Sequence, residues 1–248
     1  MNIEAYFKKI QDFSGFPNGN YGSLYVQLIG IFETKILPEI KAKMVEYESE
    51  GYYNDHGIEH IKMVIDRASK IIKAFTKNEN NFSLSDYELF ILLISIYLHD
   101  AGHLIGKRDE HTSKVHEILV RHCGKLLAVA ERRTIADIAK AHGGKNDPIG
   151  NLKDEHISGF EIRIQLLAAI LRLADEFAED KTRASQGLLD MEDDLNDTPN
   201  THIKKYSEVF HRFSESLDSI WIEGNEIKIS FCINKRLLNR IFEKKNND

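Results

Sequence analysis

Cysteine is nearly missing from this 248-residue chain: Cys123 and Cys232 are the only two, and no CxxC spacing exists. That excludes a disulfide framework, suits a reducing cytoplasm, and leaves any metal site to histidine and carboxylate. Long apolar runs are missing too. The longest, around residues 89 to 98, is far below the roughly 18 residues that span a bilayer. The start, Met1-Asn2-Ile3-Glu4-Ala5-Tyr6, has no basic region leading into an apolar one. A cytoplasmic protein with no membrane partner is expected. Positive charge is in deficit, with 33 Lys and Arg against 39 Asp and Glu and a net charge of -6. This argues against constitutive binding of duplex nucleic acid, whose main affinity term is electrostatic, but leaves room for a local basic groove. Internal repeats and low-complexity linkers are also lacking. With 42% hydrophobic and 29% charged residues, what remains is a globular chain able to bury a large core, as one domain or one plus a small appendage.

The hydrophobic pattern is overwhelmingly helical. Ile61, Val64, Ile65, Ala68, Ile71 and Ile72 recur at spacings of three and four and predict a helix over residues 57 to 73. Ser83-Leu84-Ser85-Asp86 offers caps for a helix running to about residue 98, which Gly102 closes soon after. Further helices are expected near 22 to 47, 111 to 124, 128 to 141, 157 to 178 and 201 to 217. The period then changes to two. Ser219 to Glu223 and Glu226 to Phe231 alternate around Gly224-Asn225, which predicts a hairpin, and a basic helix is expected from Lys235 to Lys245. The acidic stretch Asp190 to Asp197 reads as a solvated loop or helix edge. The fold expected is all-α, a helical bundle with a small C-terminal β-hairpin and helix. The divisions are 1–50 for an N-terminal helical segment, 51–185 for the core domain, and 186–248 for a C-terminal helix, hairpin and basic helix packed on it.

Histidines and aspartates stand at long intervals in or beside these helices: His60, the pair His99-Asp100, His111, His142 and Asp175. A lone His-Asp dipeptide carries no weight, because so short a motif arises by chance; the ordered set carries much more. Imidazole and carboxylate are first-row metal ligands. Adjacent helical residues differ by about 100° in direction, so His99 and Asp100 can meet one ion only where the helix wall faces a cavity. A carboxylate there has a second oxygen free for another ion, making Asp100 the natural bridge. His60 and Asp175 complete a first site with His99 and Asp100, and His111 and His142 hold a second. Paired ions activate an attacking water and clamp the oxygens of an in-line displacement at phosphorus. The mixed nitrogen and oxygen donors favour manganese, iron, cobalt or nickel, in one or two ions, with magnesium and zinc left open.

At these residues the chain resembles the HD superfamily of metal-dependent phosphohydrolases. The resemblance runs from about Asp55 to Arg183 in the order His, His-Asp, His, His, Asp. His60-Ile61-Lys62-Met63-Val64 is similar to the first-ligand helix, Leu98-His99-Asp100-Ala101-Gly102-His103 to the signature pair, and Leu171-Arg172-Leu173-Ala174-Asp175 to the helix with the last aspartate. Glu110 to Leu119, and the apolar spacing before His142, resemble the extra histidine helices of the HD-GYP cyclic dinucleotide phosphodiesterases. The GYP tripeptide is absent, so that specificity does not carry over.

The resemblance implies a phosphohydrolase or phosphodiesterase acting on a nucleotide or cyclic nucleotide, with metal at His60, His99, Asp100, His111, His142 and Asp175. His56 and His103 are candidates to touch substrate phosphate or donate a proton. Lys107, Arg108, Lys145 and Arg183 are candidates to neutralise phosphate charge. No further organic cofactor is called for, and His116, His122, His156, His202 and His211 are assigned to surface or core. Two rivals stay open. One is a nuclease on single-stranded nucleic acid, supported by the basic residues Arg121, Lys125, Arg132, Arg133, Lys140 and Lys145; the other is a non-catalytic nucleotide-binding or assembly module, and an oligomer is compatible with each reading.

Overall fold

The computed structural model describes residues 2–48, 57–78, 82–105, 111–144, 147–178, 216–223 and 226–232. Asn2 opens the first helix: its Oδ1 accepts from the Glu4 and Ala5 amides and caps α1 (Ile3–Phe7). Next, α2 (Tyr21–Ile31), a π-turn (Phe32–Ile36) and α3 (Leu37–Glu48) follow without a break. Pro38 explains the wide turn, since it brings no amide to the Thr34 carbonyl and its ring crowds that carbonyl, and the helix absorbs one extra residue there. The stripe from Ile61 to Ile71 is buried on α4 (Ile58–Asn78), with Ile72 half-buried, and the helix runs about a turn beyond its expected end.

The core of the helical bundle is α5 (Asp86–Leu98), in which every residue from Tyr87 to Leu98 is buried. A helix apolar all round has no stable place except inside others. Ser85 and Glu88 form the capping box that starts it. A 3₁₀ turn (Ala101–Leu104) follows, then α6 (His111–Cys123) and α7 (Val129–Lys140), close to their expected bounds.

The helix expected from 157 to 178 begins late. Residues before it form a small antiparallel hairpin, β1 (Glu155–Ile157) and β2 (Phe160–Ile162), and α8 runs Ile164–Glu176. The turn residues Ser158 and Gly159 both have positive φ, 51° and 89°, the signature of a tight type I′ hairpin. Ile157, Phe160 and Ile164 happen to lie three and four apart, so the strands imitate helical spacing in the sequence. Of the helix expected over 201 to 217, residues 201–215 lie outside the described residues, and Leu217 opens a strand. The predicted C-terminal hairpin is present as β3 (Leu217–Glu223) and β4 (Glu226–Phe231), pairing Ile220 with Ile229 and Trp221 with Lys228. The acidic stretch and the basic helix from Lys235 to Lys245 lie outside the described residues.

The chain divides into two compact units, Met1–Glu46 with His56–Ala178, and Tyr47–Asp55 with Glu179–Asp248. Within the first, two polar ties set the helices that matter below. Glu88, near the start of α5, accepts from the Arg163 guanidinium at 2.6 and 2.8 Å and from the Arg163 amide at 3.2 Å, at the start of α8. Arg67 of α4 donates at 2.9 Å to the carbonyl of Phe177, the residue that ends α8. No helix among the described residues is long and apolar enough to cross a membrane.

Candidate metal centre

Seven side chains of the first unit converge, and all stand at helix ends or in turns. His60 lies in the first turn of α4, His99 follows α5, Asp100 precedes the 3₁₀ turn that carries His103, His111 opens α6, His142 follows α7, and Asp175 lies in the last turn of α8. Two glycines let these ends meet. A Cβ on Gly102 would sit 1.8 Å from the His111 carbonyl oxygen, so only glycine lets the start of α6 press on the turn after Asp100. Gly143 is a milder case, its Cβ position lying 3.1 Å from the side-chain methyl of Thr112, a tight contact that a small shift relieves.

The donors form two groups. In the first, the Nε2 atoms of His60 and His99 are 3.3 Å apart, and Asp175 Oδ1 lies 3.1 Å from His60 Nε2 and 3.5 Å from His99 Nε2. In the second, ligand atoms of Asp100, His103 and His111 lie within 4.8 Å of one another. His142 Nε2 joins them, 3.3 Å from His111 Nε2 and 3.6 Å from Asp100 Oδ1. Asp100 connects the groups. Its Oδ2 is 3.1 Å from His99 Nε2 and 3.7 Å from His60 Nε2, while its Oδ1 is 3.6 Å from His111 Nε2 and 3.8 Å from His103 Nε2.

These spacings fit a metal better than they fit hydrogen bonds among the residues themselves. Ligand atoms held about 2.1 Å from one ion lie about 3.0 Å apart at right angles and about 3.4 Å apart in a tetrahedron. The imidazoles are also aimed. His99 Nδ1 donates to the Ile96 carbonyl at 2.7 Å, and His142 Nδ1 donates to the Ala139 carbonyl. That backbone contact fixes the tautomer and leaves an Nε2 lone pair facing the cluster, the usual outer support of a metal-bound histidine.

Burial disfavours charge on His99, but Asp100 and Asp175 outweigh it and hold its pKa well above the ordinary imidazole range. Burial likewise favours the neutral acid at Asp175, yet the pull of His99 and His60 is stronger and holds it well below the usual carboxylate range. His142 moves the other way, pushed down to about 4 by burial and then by the charge on His99, against the opposing effect of Asp100 and Asp175. Asp175 thus holds negative charge inside the cluster and calls for a positive partner. That partner is a proton on His99 or a cation that displaces it.

The structure therefore brings together His60, His99, Asp100, His111, His142 and Asp175, as the sequence pattern suggested, and adds His103 to the second group. His103 and His111 stack at 3.9 Å between ring centroids. His56, Lys107, Arg108, Lys145 and Arg183 lie outside the described residues. His116, His122 and His156 belong to neither donor group among the described residues. One residue was missed. Arg172 stands three positions before Asp175 on α8, hence on the same face, and its guanidinium meets the carbonyl of Gly144, two residues past His142, at 3.5 Å. Among the described residues this long contact is its sole hydrogen bond, and it has no carboxylate partner, so most of its five N–H donors are unused. The signal was a cation interrupting Leu171-Arg172-Leu173-Ala174-Asp175, one helical turn from a ligand.

The sequence model of the HD-CE family, an HD-type domain, matches residues 50–234. That span contains all seven converging side chains. No curated protein and no solved structure matches the chain.

Proposed function

This chain belongs to the HD-CE family, and from that premise we propose that it is a metal-dependent phosphohydrolase or phosphodiesterase acting on a nucleotide or cyclic nucleotide. The observation that supports the reading best is the bridging carboxylate, with each Asp100 oxygen turned to a different donor group. Divalent ions would be held by His60, His99 and Asp175 on one side and by His111 and His142 on the other, with Asp100 facing both, and would supply Lewis-acid polarisation of phosphoryl oxygens and a water acidified to near neutrality. The mixed donors favour manganese, iron, cobalt or nickel.

The chain's own residues do the rest. Asp100 sets the spacing between the groups, with one oxygen turned to each. His103, 3.8 Å from Asp100 Oδ1, is placed to hold a proton and pass it to the departing oxygen. Arg172 lies between the helix of Asp175 and the turn after His142, where a guanidinium orients a phosphoryl group bidentately and offsets its charge. The test pairs elemental analysis of the purified protein with a panel of nucleotides, cyclic nucleotides and dinucleotides supplied with manganese. About two ions per chain, with turnover of at least one phosphoester that a chelator abolishes, is the expected result. Bound metal with no turnover of any phosphoester overturns it in favour of a regulatory module.

A further inference from the structure

Away from the metal centre, at the other end of α6, an open groove of about 860 Å³ lies between α2, the π-turn, the loop after α6 and the start of α7. His122 in its lining is eleven residues from His111, about 16 Å along the helix axis. The groove is thus a separate place from the donor cluster. Its charge is the opposite of the chain's. Arg121, His122, Lys125 and Arg132 all line it, and no aspartate or glutamate does among the described residues, in a protein of net charge -6.

Local structural roles account for part of this charge. Arg121 pairs with Glu117 at 3.1 Å on the exposed face. Arg132 donates to the Gly124 and Leu127 carbonyls, where the negative end of the α6 dipole carries about half a charge. Lys125 has no such partner among the described residues. His122 Nε2 and Arg132 Nε are shut off from solvent and lie beneath the groove, so what the groove itself offers a guest is the exposed cationic ends of Arg121 and Lys125 beside the guanidinium of Arg132. The rest of the wall mixes aliphatic Ile31, Leu126 and a half-exposed Val120 with the polar Gln27 and Thr34, and it includes Gly30, where a Cβ would meet nothing.

We propose that this groove binds a small organic phosphate, its anionic head against Arg121 and Lys125 over the Arg132 and His122 floor, and its organic body against Ile31, Val120 and Leu126. The volume suits a nucleotide-sized guest. A single nucleic-acid strand fits less well, because the lining has no Phe, Tyr or Trp on which successive bases could stack. The site is one for binding and is independent of any reaction at the metal centre.

Titration calorimetry on the full chain, with a chelator present throughout, tests this with ATP and inorganic pyrophosphate as probes. Wild type and the Asp100→Ala variant should bind ATP alike, and more tightly than pyrophosphate. The double variant Arg121→Glu/Lys125→Glu, whose far-UV spectrum should match wild type because both residues are exposed, should bind it about tenfold more weakly or worse. Should the double variant fold poorly, Lys125→Gln alone should still weaken ATP severalfold. Three results overturn the proposal: no wild-type binding of either probe at millimolar concentration, loss in Asp100→Ala with no change in the charge variants, or equal affinity for pyrophosphate and ATP. Displacement of ATP by a single-stranded oligonucleotide at far lower concentration also overturns it, in favour of a polyanion site.

Discussion

The two donor groups share Asp100 but are built in different ways. His60, His99 and Asp175 come from three long helices whose facing sides are core, so burial of Ile61, Val64, Leu98 and Ala174 sets their spacing. The Glu88–Arg163 and Arg67–Phe177 ties then fix how α4, α5 and α8 run past one another. His103, His111 and His142 come from a 3₁₀ turn, a helix start and a helix end. There the spacing depends above all on the close backbone approach of Gly102 to His111 rather than on side-chain interdigitation. A site made by packing resists small changes, because interiors are dense and many contacts share the strain. One made by close backbone approach hangs on single positions. The first group should therefore behave as the robust half and the second as the sensitive half.

The sharpest way to break the pair is to remove what they share. Asp100→Ala should abolish metal-dependent hydrolysis, a loss on the order of a thousandfold or more, given that one electrostatic stabiliser in an active site is worth about 10²–10³. The helical fold should survive, since Asp100 sits in the turn between the donor groups and contributes little apolar packing. Unchanged turnover with unchanged metal content would sink the bridging role.

The contrast sharpens with a change that adds one methyl group and touches no donor. Gly102→Ala forces the start of α6 away from the turn after Asp100, and should lower bound metal from about two ions per chain to about one. His111→Ala and His142→Ala should do the same, because loss of even an outer supporting partner weakens metal binding by about tenfold or more. Elemental analysis of the three purified variants decides. Full stoichiometry in Gly102→Ala would show that the second group does not depend on backbone approach.

How much of this was legible in the sequence follows the same division. The core helices showed because an apolar face repeats every three to four residues, and α5 because only Ser95 interrupts its run from Leu89 to Leu98. The ligand order showed because each donor abuts such a stretch. His103 as a member of the second group did not show, since its placement depends on a 3₁₀ turn and on where α6 docks, neither of which has a periodic signature. Arg172 was hidden by its own helix: a cation in an apolar run reads as a solvated position until Gly144 is seen beside it. The hairpin before α8 was hidden because Ile157, Phe160 and Ile164 copy helical spacing.

Arg172 offers a test that falls between the groups without removing a ligand. Arg172→Ala should raise KM for the phosphoester by about tenfold, the scale of one or two charge-assisted hydrogen bonds, while metal content stays at the wild-type value. Arg172→Lys should restore part of the affinity. A drop in bound metal instead would make Arg172 a clamp on the turn after His142 and not a contact for substrate.

The smallest effect probes the robust half from its far end. Burial disfavours the charged form of Glu88, but Arg163, the Ser85 amide and the Arg163 amide outweigh it, so its pKa is lowered from the ordinary 4.5. A carboxylate whose pKa is depressed on folding contributes stability above its unfolded value, and loses that contribution as pH falls through the folded value. Glu88→Gln keeps the shape and removes the charge, leaving Arg163 half-exposed with a weaker acceptor. It should lower stability by about 1–3 kcal/mol at pH 7, read from the denaturant midpoint at constant slope. The difference from wild type should shrink as pH drops below 4.5 and vanish once Glu88 is protonated in the folded protein. Both ions should remain bound at pH 7, because the packing of α4, α5 and α8 carries the first group without this tie. Loss of the first-group ion in Glu88→Gln would mean that its geometry rests on one buried ion pair, and that the packed half is no sturdier than the half built on glycine.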